Sequence, residues 1–196
     1  MKVSVHPAHM VRHWALPLAV TVVTLVLQGA DLTPALRLER TQVLAEPWRL
    51  VTGHLVHLGW THLFMNLAGL AILWVLLGPT ITQRQWAVAI LACGAGVSAG
   101  LLAFSPQVAW YAGFSGILHG LLAAVALVSL RTLPGMGVVL LSMLGIKIAL
   151  EQWTDGGHST AALIGGAVIV DAHLYGALVG LACGIFLLLR SRRNRA

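Results

Sequence analysis

Long stretches of this chain carry no Asp, Glu, Lys or Arg; the first three run from Trp14 to Ala30, Leu50 to Gln83 and Gln85 to Leu130. A transmembrane helix needs about 20 consecutive apolar residues, so the third stretch is too long for one span. It is interrupted at Ser105-Pro106-Gln107, where a proline among polar neighbours suits a turn. The hydrophobic set makes up 58% of the 196 residues and charged residues only 9%, against roughly 25% charged in soluble domains. In water, a fold of this size would expose apolar patches large enough to aggregate. Spans are expected near 14–30, 62–78, 85–104, 114–131, 134–152 and 168–189, with a long outer loop over 31–61. The fold class is therefore all-α, a polytopic membrane bundle of six helices forming a single domain over 1–196.

The basic residues set the expected topology. Lys2 and Arg12 precede the first span, Arg84 lies between spans two and three, Arg131 between four and five, and Arg190, Arg192, Arg193 and Arg195 follow span six. The opposite side holds Asp31, Glu39, Glu46, Glu151 and Asp155, balanced by Arg37, Arg40 and Arg49. The positive-inside rule then predicts both termini in the cytoplasm. Topology thus accounts for the net charge of +6. The basic residues form no patch beyond a short tail, so no nucleic-acid partner is implied. The N-terminal run ending at Gln28-Gly29-Ala30 is similar to a signal peptide, but it lacks an A-x-A site and five more spans follow; a retained span is expected. Cys93 and Cys183 fall inside spans three and six and read as free buried cysteines. Neither a disulfide framework nor a zinc spacing is present.

Polar groups are costly in hydrocarbon and invite explanation. Gly113-Phe114-Ser115-Gly116 opens span four. A serine in the first turn of a helix lies beside free backbone N–H groups and the positive end of the dipole, where an oxyanion would be stabilised. A helix N-cap is the plainer reading of the same serine. Asp171-Ala172-His173-Leu174-Tyr175-Gly176 opens span six, which runs in the same direction as span four. A neutral imidazole at that depth could take the serine proton and return it to a leaving amine; a packing histidine bonded to a carbonyl is the alternative. Gly176, Gly180 and Gly184 face the possibility of close contact with Gly116 and Gly120, because small residues at i, i+4 let membrane helices touch. His62 and Asn66 share a helix face at the start of span two. Two hydrogen-bond donors there would suit an oxyanion hole, or else hold helices together. Trp48-Arg49, His54 and His57 lie in the long outer loop, where Trp48 and Trp60 are expected as interfacial anchors. A metal site from His54, His57 and His62 would lack a carboxylate and an HExxH spacing, and none is expected.

The ordered set W-R, H-x-x-x-N, G-x-S-G and A-H-x-x-G, running from Trp48 to Gly184, resembles the rhomboid family. The resemblance implies an intramembrane serine protease with a Ser–His dyad, no acid and no cofactor. Ser115 then matches the nucleophile and His173 the general base. His62 and Asn66, with the N–H of Ser115, match the oxyanion hole. Trp48 and Arg49 match a structural loop motif, and Gly176 the glycine that lets the last helix pack on the serine helix. The position four residues after the serine, often tyrosine in that family, is His119 here, within Ser-Gly-Ile-Leu-His-Gly. This variant and the minimal length are similar to the rhombosortase subfamily. That likeness implies bacterial membrane-anchored substrates bearing a glycine-rich motif, a transmembrane segment and a basic tail, the GlyGly-CTERM signal.

His119 also offers a competing base, since its side chain points back toward Ser115 along the helix. It is expected beside His173, with Gly113 and Gly116, as a supporting residue. Asp171, two positions before His173, faces elsewhere and is expected in solvent. Lys147 is expected to snorkel or to pair with Glu151 four residues on. A catalytically dead relative and a proton-coupled transporter are the rival functions. The first would have lost serine or histidine, and the second predicts paired broken helices.

Overall fold

In hydrocarbon every backbone N–H and C=O must be satisfied within the protein, which favours helices. The computed structural model describes residues 7–154 and 158–193; Lys2, Asp155 and Arg195, counted above for topology, lie outside them. In chain order the elements are α1 (Pro7–Gly29), α2 (Thr33–Leu36), β1 (Leu38–Glu39), α3 (Arg49–Thr52), α4 (Trp60–Leu77), α5 (Gln83–Phe104), β2 (Trp110–Tyr111), α6 (Ser115–Ser129), α7 (Pro134–Thr154), α8 (His158–Ile164) and α9 (Val170–Arg193). The fold is an all-α membrane bundle. Among the described residues, four helices are long and apolar enough to cross a membrane, those over Trp60–Thr80, Gln83–Phe104, Pro134–Thr154 and Val170–Ser191, and Trp14–Gly29 and Ser115–Ser129 are shorter apolar helices.

Local signals fix the helix ends. Thr82 and Gln85 form a reciprocal capping box at the start of α5, and α5 stops at Phe104, just before Ser105-Pro106. At the other end of α6, Arg131 donates to the Leu188 carbonyl at 2.8 Å and to the Ser191 hydroxyl, joining the α6–α7 turn to the last turns of α9.

The short helix α6 is the centre of the bundle. Ala123, Ala124, Val125 and Ala126 are fully buried, and its apolar side chains Ile117 and Leu121 join a core with Leu70, Trp74, Trp86 and Cys93. With 15 residues it is about 22 Å long, short of the roughly 30 Å hydrocarbon layer. Non-helical chain over 105–114 precedes it, with Ser105, Tyr111 and Phe114 buried. Such backbone is tolerated at depth only where protein satisfies it. Here the Arg40 guanidinium donates to the carbonyls of Val108 and Leu102 at 3.0 Å, Ser105 at 2.7 Å, and Leu101. It thereby caps the C-terminal end of α5, where a cation also suits the helix dipole. β1 pairs antiparallel with β2, Leu38 opposite Tyr111 and Glu39 opposite Trp110.

The long loop between α1 and α4 has its own structure. Arg49 is buried, donates to the Arg37 carbonyl at 2.9 Å and is paired with Glu46. Trp48 and Trp60 are about half exposed, at 51% and 48%, and Trp60 stacks on Phe64.

Candidate active site

The closest approach of helices in the bundle is between α6 and α9, and it is made of glycine. A Cβ at Gly176 would overlap the Gly116 carbonyl, and one at Gly180 the Gly120 carbonyl. At Gly184 a Cβ would meet the Ala124 carbonyl at 2.9 Å. Backbone thus rests on backbone over two turns, and no side chain holds the helices apart. Ser115 and His173 sit at the starts of these two helices, and their side chains meet: Ser115 Oγ lies 3.0 Å from His173 Nε2. Ser115 is the first residue of α6, with Phe114 at the N-cap position. Its hydroxyl therefore does not cap the helix.

The turn before Ser115 is tightly held. Gly113 has φ +131°, a conformation open to glycine and costly for other residues. Its N–H donates to the Gly53 carbonyl at 3.0 Å and its carbonyl accepts from the Tyr111 hydroxyl at 2.7 Å. On its open side a Cβ would strike the His62 ring, Cε1 at 2.7 Å. Burial pushes the Tyr111 phenol up to about 12, so it remains a donor.

His62 and Asn66, both buried on α4, share with Ser115, His119 and His173 the lining of a cavity of about 510 Å³. His62 Nδ1 accepts a long 3.5 Å bond from the Leu58 N–H. In a neutral ring the proton is then on Nε2, a donor. Asn66 Nδ2 is buried and has no partner among the described residues. Behind them, His54 Nε2 lies 2.9 Å from Ser98 Oγ, which itself donates to the Leu50 carbonyl at 2.7 Å. His57 packs edge-on against His62. Burial lowers His54 to about 4, and burial together with the neighbouring His62 lowers His57 to about 3. Both are neutral at physiological pH.

His119 stacks on His173, ring centroids 4.0 Å apart and 13° from parallel. Its Nδ1 lies 2.7 Å from the Ser115 carbonyl and must donate there. Its bond is thus to the backbone of Ser115, while the hydroxyl is taken by His173. Lys147 pairs with Glu151, one of the two outcomes expected from their i, i+4 spacing.

Two expectations need correction. Asp171 is not left in solvent: it accepts from the Ser105 hydroxyl and from Gln107 Nε2 at 3.2 Å, so it ties the start of α9 to the end of α5. The site is also not free of acid. Glu151 Oε2, on α7, lies 2.9 Å from His173 Nδ1. The two are 22 residues apart on different helices, and a search for an acid beside the histidine in sequence finds only Asp171. The sequence signal that existed was an acid, with Lys147 one turn before it, near the C-terminal end of a mostly apolar helix. Arg40 was missed in the same way, being legible only as one of three basic residues in the loop.

Among the described residues, potential metal-ligating atoms cluster at His119, Glu151 and His173, all within 4.8 Å of one another. A metal there would take Nδ1 of His173 away from Glu151, and with it the tautomer that leaves Nε2 open to Ser115. The donor set fits a hydrogen-bonded proton-transfer group better than a metal centre.

No curated protein matches the chain. The family profile of the Rhomboid domain matches residues 44–190, which takes in the long loop from before Trp48, the serine and histidine helices and the whole cavity. By this match the chain belongs to the rhomboid family, whose members are intramembrane serine proteases acting on membrane proteins.

Proposed function

We propose that this protein is an active intramembrane serine endopeptidase, with Ser115 as nucleophile and His173 as general base. The observation that carries the reading is the 3.0 Å contact between Ser115 Oγ and His173 Nε2, made across a glycine-lined helix interface at the head of a cavity. A substrate span enters from the lipid bilayer and unwinds its upper part, because helical carbonyls are occupied by their own hydrogen bonds. Glycine lowers that barrier by about 1 kcal/mol per residue relative to alanine.

Ser115 Oγ bonds to the scissile carbonyl carbon as its proton passes to His173 Nε2. The carbonyl electron pair moves to oxygen, where His62, Asn66 and the Ser115 N–H donate to it. Collapse expels the amine, which takes the proton from His173, and water then hydrolyses the acyl-enzyme. Gly113 and Gly116 shape the turn that carries Ser115, Gly176 admits the partner helix, and Trp48-Arg49 stabilises the outer loop. Both rivals are disfavoured: serine and histidine are present and in contact, and each apolar helix is continuous through its span.

The finer assignment is to the rhombosortase-like enzymes of the bacterial inner membrane, with both termini cytoplasmic and the site open to the periplasm. His119 at the position four residues after Ser115 supports it, and the basic residues at Arg84, Arg131 and Arg190 support the orientation. The substrates are membrane-anchored proteins with a glycine-rich motif, a transmembrane segment and a basic tail. The test is co-expression in bacterial membranes of such a substrate with wild type or Ser115→Ala. Processing by wild type alone is expected. Equal processing by both proteins would refute the assignment of Ser115, and processing of a substrate without the glycine-rich motif at the same rate would refute the subfamily.

A further inference from the structure

The proton-transfer pair leaves one charged group of the site without a task. Glu151 stands near the outer end of α7, with a side chain only 15% exposed, and its two oxygens are both engaged. Oε1 is paired with the Lys147 ammonium one turn earlier, and Oε2 lies 2.9 Å from Nδ1 of His173. An ionised carboxylate can only accept, so the Nδ1 proton of His173 points at Glu151. In the neutral ring this leaves the lone pair on Nε2, the nitrogen facing Ser115 Oγ. That is the tautomer a general base requires. His119 fixes the plane of the His173 ring by stacking on it, but a stacked ring cannot choose which nitrogen carries the proton.

We infer that Glu151 is a positioning residue of the active site, which sets the tautomer of His173 and stabilises its imidazolium during attack, so that the site works as a Ser115–His173–Glu151 relay. The inference rests on the assignment of Ser115 and His173 given above. During attack the serine proton moves to His173 Nε2, the Nδ1 proton stays on nitrogen, and Glu151 remains ionised. Lys147 holds the second oxygen and keeps the carboxylate from rotating away.

The test uses the full-length protein in detergent and a fluorophosphonate, whose capture by Ser115 reads the base-assisted nucleophilicity of the serine without a known substrate. Glu151→Gln is the informative change. It keeps the size of the side chain, but its amide N–H can donate to Nδ1 and so put the proton on the wrong nitrogen. The maximal labelling rate is expected to fall at least tenfold, with the half-saturating probe concentration unchanged within twofold. Glu151→Asp is expected to recover at least part of that loss. The acid limb of the rate against pH is expected to move to lower pH in Glu151→Gln, because an anion beside an imidazolium favours its charged form. The other groups facing His173 stay in place: His62 on α4, His119 on α6 and Lys147 on α7.

A labelling rate within twofold of wild type together with an unmoved acid limb would overturn the inference. So would a rate lost equally in Glu151→Gln and Glu151→Asp with an unmoved limb, since that is the signature of a merely structural contact. Failure of the underlying assignment looks different: Ser115→Ala would then be labelled as well as wild type.

Discussion

The two helices that flank the serine helix are built on opposite principles. α9 lies against α6 backbone to backbone, and a single methyl at Gly176 or Gly180 has nowhere to go. On α7 only Gly137 and Leu144 are buried, while Val138, Val139, Met143 and Ile146 are more than half exposed and face lipid. Gly145, in the middle of that helix, has open space around its Cα. Yet the two helices meet at one imidazole: α9 carries His173, and α7 sends Glu151 to its Nδ1. The serine-to-histidine distance is set by the rigid pair, and the tautomer of the histidine by the loosely packed helix. A protease that must admit a substrate span from the bilayer can shift a lipid-facing helix without separating nucleophile from base.

The sharpest break lies inside the rigid pair. His173→Ala is expected to reduce cleavage to background, whereas His119→Tyr, which keeps a ring against His173, retains measurable cleavage. The reverse pattern in the co-expression assay would make His119 the base. Next in size is the contrast between the two interfaces. Gly176→Val forces α6 and α9 apart, and overpacking of this kind costs about 3 kcal/mol. Misplacement by about 1 Å costs roughly 100-fold in rate, so a loss of at least that size is expected, with a lower melting temperature in detergent. Gly145→Ala is expected to leave cleavage within twofold. Equal losses in the two variants would erase the distinction between the helices.

A smaller effect is expected at the turn that feeds the rigid pair. Gly113→Ala combines a strained positive φ with a contact at 2.7 Å to His62. It should lower cleavage about tenfold, read as kcat with little change in KM. The smallest effect concerns the loop between α1 and α4. His54 and His57 are lowered to about 4 and about 3, against 6.5 in an unfolded chain. Below pH 6.5 the unfolded state binds protons that the folded state refuses. Stability is therefore fully present above pH 6.5 and falls as the pH drops toward the folded values, by up to about 1.4 kcal/mol per unit for each histidine. His57→Phe, which removes a ring with no hydrogen-bond partner among the described residues, should flatten the acid arm of melting temperature against pH. An unchanged slope would remove His57 from that account.

The rigid half of the molecule could be read from the sequence and the loose half could not. Uncharged stretches mark apolar helices because hydrocarbon excludes charge, and the spacing of Gly116, Gly120, Gly176, Gly180 and Gly184 carries its own physical meaning as a contact face. Periodicity says which residues share a face of one helix. It does not say which face of another helix it meets. Glu151 and Lys147 could be paired with each other by their i, i+4 spacing, but the approach of Glu151 to His173 depends on how α7 is turned in the bundle. Arg40 is the same case in the loop: its four carbonyl partners lie between Leu101 and Val108, 61 to 68 residues away. The sequence puts Asp171 on a different face from His173 and leaves it to solvent, whereas Ser105 and Gln107 supply partners from a segment that the sequence marks only as a turn.

The most direct measurement is the intact mass of the purified protein after reaction with a fluorophosphonate, for wild type, Ser115→Ala and His173→Ala, with the modified residue located by peptide mapping. A single adduct on Ser115 in wild type, absent from Ser115→Ala and strongly diminished in His173→Ala, is the predicted result. An unlabelled wild type in folded protein, or a label that persists at full rate without His173, would contradict the account of Ser115 as a nucleophile activated by His173.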